Sequence, residues 1–441
     1  MFTTLRNAWK IQDLRKKILF TFFIILIFRI GNAIPVPFVI TDGLEAAFNE
    51  RFGNTILGLY NVMSGSAFSQ ATLFALSIQP YINASIIIEL LTIAIPYLER
   101  LRKDEGEEGK KKINKITRYT TVGLGLLMGF AYYMMLKNQS RMLDAHGFPQ
   151  WVVAAVIILS FTAGSSVVMW LGEQITEFGI GNGISMILFA NIVSRLPNTI
   201  MYIVCAVTGK TVPLTGAKPE AMSWWLVPLI LVGVLAMVVF IVFINASERR
   251  IPIQYAKRVV GRKVYGGQNS NLPIKVNMCG VLPIIFAQSI CSLPATIAAF
   301  MGKNADNSNW YKYVWSNTSA VYCVIYFVLI IAFSYFYSTI QYNPIEISNN
   351  LQKNGGFIPG FRPGKPTSAF ISKVINKIVL FGALFLSVVA LLPVVLGAIF
   401  PKYSYISIGG TSIVIVVGVA LETVQAIEAQ MLMRHYKGFL E

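Results

Sequence analysis

Charge is scarce in this sequence. Of its 441 residues only 13% are Asp, Glu, Lys or Arg, roughly half the share a soluble domain carries, while 55% are hydrophobic. That excludes an ordinary soluble globular protein and leaves a polytopic membrane protein. Histidine is scarcer still, with only His146 and His435, both outside the apolar runs. The four cysteines, Cys205, Cys279, Cys291 and Cys323, lie in or beside apolar runs without CxxC spacing. A disulfide framework and a His/Cys metal centre therefore lack their residues, and the cysteines read as small buried hydrophobes. No carboxylate pair shares an apolar span with a basic partner. The sequence thus offers no catalytic site and calls for no cofactor.

What is present is a succession of apolar stretches. At roughly 20 residues per span, ten qualify: 18–38, 71–95, 119–136, 151–171, 184–207, 224–244, 276–300, 320–340, 378–400 and 406–430. The first follows a basic leader and continues past Arg29 without a small-residue cleavage site, so it reads as a retained span and not a removable signal. Lys and Arg are distributed unevenly, with 27 on the side of both termini, eight on the other, and Arg29 and Arg195 inside spans. By the positive-inside rule both termini face the cytoplasm. The expected fold is an all-α integral membrane protein of ten transmembrane helices. Its halves, 1–207 and 208–441, have five spans each, which allows an inverted repeat. Arg29, Glu89, Arg195 and Glu422, the ionisable residues nearest membrane depth, are expected to snorkel to an interface.

The stretch 53–96 cannot be one simple helix. Asn61, Ser64, Gly65, Ser66, Ser69 and Gln70 break its first half, and Gln79 and Pro80 fall in its apolar second half. Non-helical backbone at membrane depth is tolerated only inside protein or beside a wet cavity. The segment is therefore expected to enter part-way, turn, and then span. Ile78 and Ile82 are four apart, as are Ile184 and Leu188, so each pair lines one helix side; such pairs are ordinarily core or lipid-facing. Gln79 and Asn83 form a polar stripe beside the first pair, and Gln288 and Ser292 repeat its spacing in the seventh span. Polar side chains in membrane helices face other helices or water, so the two stripes are expected to meet across an interface that can open. The loops 246–275 and 339–377 are longer than a connection needs. They mix Tyr, Phe, Pro and Gly with cations that include Lys257, Arg258, Arg262, Lys263 and Arg362. Such protrusions suit an RNA surface or an acidic protein; contact with lipid headgroups would explain their charge but not their length.

Six strings, in order along the chain, resemble the SecY proteins, the central subunit of the protein-conducting translocon. They are FRIGNAIPVP (28–37), NVMSGSAFSQATLFALSIQPYINASIIIELL (61–91), WLGEQITEFGIGNGISMILFANIV (170–193), YAKRVVGRKVYGG with LPIKVNMCGVLP (255–283), NPIEISNNLQKNGGFIPGFRPGKPT (343–367) and GGTSIVIVVGVALE (409–422). The resemblance implies an hourglass channel between two five-helix halves, in a bacterial cytoplasmic (inner) membrane, that passes unfolded polypeptide and releases apolar segments into the lipid bilayer. It implies a re-entrant plug over about 55–69, including Thr55, Ile56, Leu57, Leu59, Tyr60, Asn61, Met63, Ser64, Gly65 and Phe68. The pore ring would comprise Ile78, Ile82, Leu188 with Ile184 a turn away, Ile285 and Ile415; Leu188 stands where an isoleucine is expected. The lateral gate would lie between the second and seventh spans, with Gln79, Asn83, Gln288 and Ser292. Arg362 in FRPG, with Lys257, Arg258, Arg262 and Lys263, would engage a SecA-like ATPase motor or the ribosome. SecE-like and SecG-like small membrane subunits would complete the channel. The competing class is a secondary transporter for a small solute, which also uses broken helices. It calls for paired charges at mid-membrane and has no use for the long basic loops.

Overall fold

The computed structural model describes residues 6, 8–40, 43–45, 48, 61, 63–103, 106–138, 143–144, 147–211, 223–255, 258–260, 263–265, 269–278, 280–301, 319–399 and 409–437. Its helices are α1 (Gln12–Gly31), α2 (Gln79–Ala94), α3 (Pro96–Lys103), α4 (Gly106–Asn138), α5 (Gln150–Phe178), α6 (Gly183–Thr208) and α7 (Leu226–Ala246). After the first long loop come α8 (Leu282–Met301), α9 (Ala320–Gln341), α10 (Pro344–Lys353), α11 (Lys365–Ile399) and α12 (Gly409–Lys437). A helix overlaps each expected stretch, though not every one is long and apolar enough to cross a membrane. By length and composition, seven of the described helical stretches can cross a membrane, or eight if α2 and α3, bent by 104°, count as one. The bend sits at Ile95, whose extended φ −107° and ψ 113° are what a residue before proline prefers.

Several boundaries differ from expectation; α1 ends at Gly31 and not near 38, and α11 begins at Lys365 and not near 378. The second span was expected from residue 71, yet α2 starts at Gln79 and residues 64–78 are mostly turns. Ser66, Ala71 and Ser77 take φ of 71°, 47° and 48°, left-handed values that a right-handed helix cannot contain. The third span was expected from 119, yet α4 begins at Gly106 and carries the segment GEEGKKKINKITR as continuous helix. Its acidic first turn suits the helix dipole, and Glu107 pairs with Lys110 one turn on at 3.6 Å.

Helices up to residue 208 pack as α2 on α4, α4 on α5, α5 on α6 and α1 on α5. Later helices pack as α8 on α9, α9 on α11, α11 on α12 and α12 on α7. The two sets meet at α2–α8, α4–α8 and α6–α12. One buried apolar cluster runs through both.

The all-α expectation needs correction at the two long basic loops, which fold together. Strand β1 (Glu248–Tyr255) pairs antiparallel with β4 (Asn269–Lys275), from Glu248 opposite Lys275 to Gln254 opposite Asn269. On its other edge it takes β5 (Gly356–Phe357) from the second loop. Between β1 and β4, strands β2 (Arg258–Val260) and β3 (Lys263–Tyr265) form a two-stranded ribbon. Ile251 and Ile253, two apart and hence on one face of β1, join Ile274, Leu351, Ile358, Ile371 and Ile375 in a second buried core. The loops thus fold on an apolar centre of their own.

Three of the four deep ionisable residues are partly exposed, each with one buried atom that lacks a partner. Arg29 Nη1, Arg195 Nη1 and Glu89 Oε2 are buried without a hydrogen-bond partner.

Candidate functional site

Five of the aliphatic residues singled out from the sequence, Ile78, Ile82, Leu188, Ile285 and Ile415, are at most 4% exposed and share one cluster. The sixth, Ile184, is partly buried against it. They arrive from the N-cap of α2, α2 itself, α6, α8 and α12. The string WLGEQITEFGIGNGIS positions the α6 contribution. A Cβ on Gly183 would overlap the Gly172 carbonyl, so only glycine lets α6 begin that close to α5. Thr176 Oγ1 accepts the Gly183 N–H at 2.9 Å and Asn182 Oδ1 caps α6 by accepting from Ile184 N at 3.0 Å. The crossing brings Ile78 Cδ1 and Ile187 Cδ1 to 3.3 and 3.4 Å from where a Cβ on Gly172 would stand. On the other side, the missing side chain of Gly418 makes room for Val281, which fixes the register between the helices that carry Ile285 and Ile415. None of these aliphatic side chains can hydrogen-bond.

The turns around 61–78, whose apolar residues join the same cluster, hold polar groups that are satisfied. Ser64 Oγ donates to Asn61 O and accepts from Phe68 N, both at 3.1 Å. Asn61 Oδ1 accepts from Ser69 N at 2.9 Å, and Ser69 Oγ donates to Ser66 O at 3.0 Å. These bonds close the segment on itself. Others tie it to its surroundings. Asn191, fully buried in α6, donates through Nδ2 to Met63 O at 2.9 Å and to Ser77 Oγ at 3.1 Å. Its Oδ1 accepts from Asn32 Nδ2 at 3.2 Å. The Tyr132 hydroxyl of α4 donates to Phe68 O, and the Phe68 ring packs edge-on against Tyr132 and Phe48, with centroids 4.6 and 5.4 Å apart. Of the residues assigned to a plug, Asn61, Met63, Ser64 and Phe68 are buried and Gly65 is partly buried; Thr55, Ile56, Leu57, Leu59 and Tyr60 lie outside the described residues.

The two polar stripes were expected to face each other. Gln79 does cross to α8, but its Nε2 donates to Ser289 Oγ at 3.1 Å, and Gln288 Oε1 is buried without a partner. One residue along a helix is a turn of about 100°, enough to exchange which of two neighbours meets α2. Asn83 turns its amide to Met128 Sδ of α4, 3.9 Å away, and the Ser292 side chain lies outside the described residues. Further along the seam, Phe286 of α8 packs edge-on against Phe333 and Tyr337 of α9. Tyr337 Oη donates to Glu89 Oε1 of α2 at 3.4 Å.

The basic residues divide. Arg362 is exposed in the turn before α11, where its carbonyl accepts from Thr367 Oγ1 at 2.8 Å. Glycines 360 and 364 flank it with φ of 86° and 97°. Arg258 and Lys263 begin β2 and β3, whereas Lys257 and Arg262 lie outside the described residues.

Comparison with known proteins decides the family. The SecY family model matches residues 72–424, and the protein translocase subunit SecY of Streptomyces coelicolor is 42% identical over 450 residues, covering 100% of both chains. The chain belongs to the SecY family. Solved structures share the fold. A protein-conducting channel superposes with TM-score 0.63 at 17% identity, covering 94% of this chain and 92% of that one. Sec61, in a canine ribosome–channel complex from the endoplasmic reticulum, gives 0.59 at 15% identity over the same shares.

Sequence reasoning overlooked three residues of this SecY-family site. Asn191 is a lone amide in an otherwise apolar part of the fifth span, a signal that was available. Ser289 was masked by the regular spacing of Gln288 and Ser292. Tyr132 sits among apolar neighbours in the third span, and its role depends on where the Phe68 carbonyl falls, which no local pattern records.

Proposed function

We propose that this chain is the channel through which unfolded polypeptide crosses a membrane and from which apolar segments leave sideways into lipid. One observation supports the reading: Ile78, Ile82, Leu188, Ile285 and Ile415 are all buried in the one apolar cluster that runs through helices on both sides of the α2–α8 and α6–α12 contacts. A ring of such side chains gives a passing chain no fixed hydrogen-bond partner, so no sequence is trapped. Empty, it dewets and blocks ions. On this reading the ten helices form two halves, 1–207 and 208–441, around an hourglass pore, and 55–69 is the plug above the ring. Gln79, Asn83, Gln288 and Ser292, now with Ser289, line the gate between α2 and α8. An apolar segment partitions through that gate into lipid by its transfer energies.

The ring exerts no pull, so work comes from a partner at the basic platform. Arg362, Arg258, Lys263, Lys257 and Arg262 offer it an RNA-binding or acid-binding face. The Sec61 neighbour was solved in a ribosome complex, and a SecA-like motor is the alternative driver. SecE-like and SecG-like subunits complete the assembly. The 27-to-8 bias of Lys and Arg supports a cytoplasmic side for this platform and both termini, in a bacterial inner membrane. The test is photocrosslinking during arrested export of a secretory precursor. A probe at position 82 should capture the nascent chain, and one at the exposed Trp151 should not. Absence of crosslinks at 82 with the precursor engaged refutes the conduit.

A further inference from the structure

Residues Gln79, Ile82, Ile86 and Glu89 follow one another three and four apart and so share one side of α2. The first three are buried, and this side begins at the Gln79–Ser289 contact with α8. It ends at a carboxylate that is only half used. Glu89 Oε1 receives a long bond from Tyr337 of α9, and Oε2 is buried with no hydrogen-bond partner. Arg102 of α3 is a cation whose field reaches Glu89, yet it leaves that oxygen without a donor. A buried, unsatisfied carboxylate oxygen costs more than a lost neutral hydrogen bond, so the position suits a donor that arrives and departs.

The seam has the length of a short apolar helix. Ten residues of α2 separate Gln79 from Glu89, about 15 Å at 1.5 Å per residue. The apolar core of a secretory signal has about 7–15 residues, roughly 10–22 Å as helix, and is preceded by positive charge. If such a helix lies in the seam with its far end level with Gln79, its leading Lys or Arg falls at Glu89. Resting on the channel reading above, we infer that Glu89 is the docking site for the cationic head of a precursor's apolar segment. Its ligand is an ammonium or guanidinium at the start of a helix; the carboxylate orients that helix with its charged end held at the mouth of the seam.

The experiment uses membrane vesicles carrying the complete translocon and one precursor in three forms, with Lys, Gln or Glu in the positions before its apolar segment. Loss of the Lys charge should slow export about fivefold in the parental channel and less than twofold in Glu89→Gln. Glu89→Lys should favour the Glu form over the Lys form. Equal dependence on precursor charge in parental and Glu89→Gln channels overturns the proposal. So does an equal acceleration of all three precursors by Glu89→Gln and Tyr337→Phe, since the pair would then merely hold the seam shut. Photocrosslinking from position 82 in the same vesicles separates the two levels: crosslinks with unchanged charge dependence refute Glu89 alone, and their absence in the parental channel refutes the conduit.

Discussion

Asn191→Ala should loosen the buried segment without unfolding it. Asn191 is fully buried and holds three partners, Met63 O at 2.9 Å, Ser77 Oγ at 3.1 Å and Asn32 Nδ2 at 3.2 Å. Alanine removes all three bonds at once and strands a carbonyl and an amide in the core. Only the bonds to Met63 and Ser77 reach the segment; at about 1 kcal/mol for each the loss is about 2 kcal/mol. That is on the order of a 30-fold shift between a seated and a released segment. The bonds among Asn61, Ser64, Ser66 and Ser69 do not involve Asn191, so the effect falls on attachment. The assay is the conductance of the purified channel complex in planar bilayers without precursor, where spontaneous openings should become much more frequent. If Asn191→Ala inserts at the parental level and conducts like the parent, these bonds do not hold the segment and the plug assignment loses its principal anchor.

A Cβ on Gly164 would overlap the Leu73 carbonyl, and backbone cannot yield as a side chain can. Gly164→Ala should therefore cost about 3 kcal/mol, measured as thermal unfolding in detergent; a parental Tm would show that α5 and the turns do not meet so closely. Gln79→Leu and Ser289→Ala, measured singly and together, should show a coupling of about 0.5–1.5 kcal/mol in the same assay, and strict additivity would refute the contact. Arg362→Glu should abolish partner-driven translocation in vesicles while the chain still inserts; normal translocation would remove Arg362 from the docking surface.

The sequence revealed helix positions well because long apolar runs have few alternatives in a bilayer; a helix overlaps each run, and seven or eight of the described stretches are long and apolar enough to cross a membrane. It misjudged where α2 starts, since beside Gly65 the left-handed positions there are Ser66, Ala71 and Ser77, residues that do not announce such a turn as glycine does. The sheet was missed because β1 opens on three charged residues, β4 on polar ones, and β5 is only two residues long. The alternation of Ile251 and Ile253 in ERRIPIQ nevertheless carried a period of two, with Ile274 in the partner strand. Spacing brought Gln79 to the correct seam but could not choose between Gln288 and Ser289, since a stripe drawn at four-residue intervals does not fix the rotation of its helix.

The hydrogen bonds around 61–78 fall into two sets with different consequences. Those within the segment, from Ser64, Asn61 and Ser69, travel with it and keep its turns folded wherever it sits. Those to α6 and α4, from Asn191 and Tyr132, exist only when it is seated. The aliphatic cluster adds apolar contact but no directional bond. Seating strength is thus concentrated in a few side chains that do not belong to the ring, and the ring's passage properties reside in side chains that cannot hydrogen-bond. Substitutions at Asn191 or Tyr132 should accordingly change resting leak and leave the rate of an engaged precursor nearly unaltered, whereas glycine at Ile82 and Ile285 should loosen the seal even while a precursor fills the pore. Were both classes to alter the two properties in the same proportion, segment and ring would be one structural unit, and opening would require the helices themselves to part.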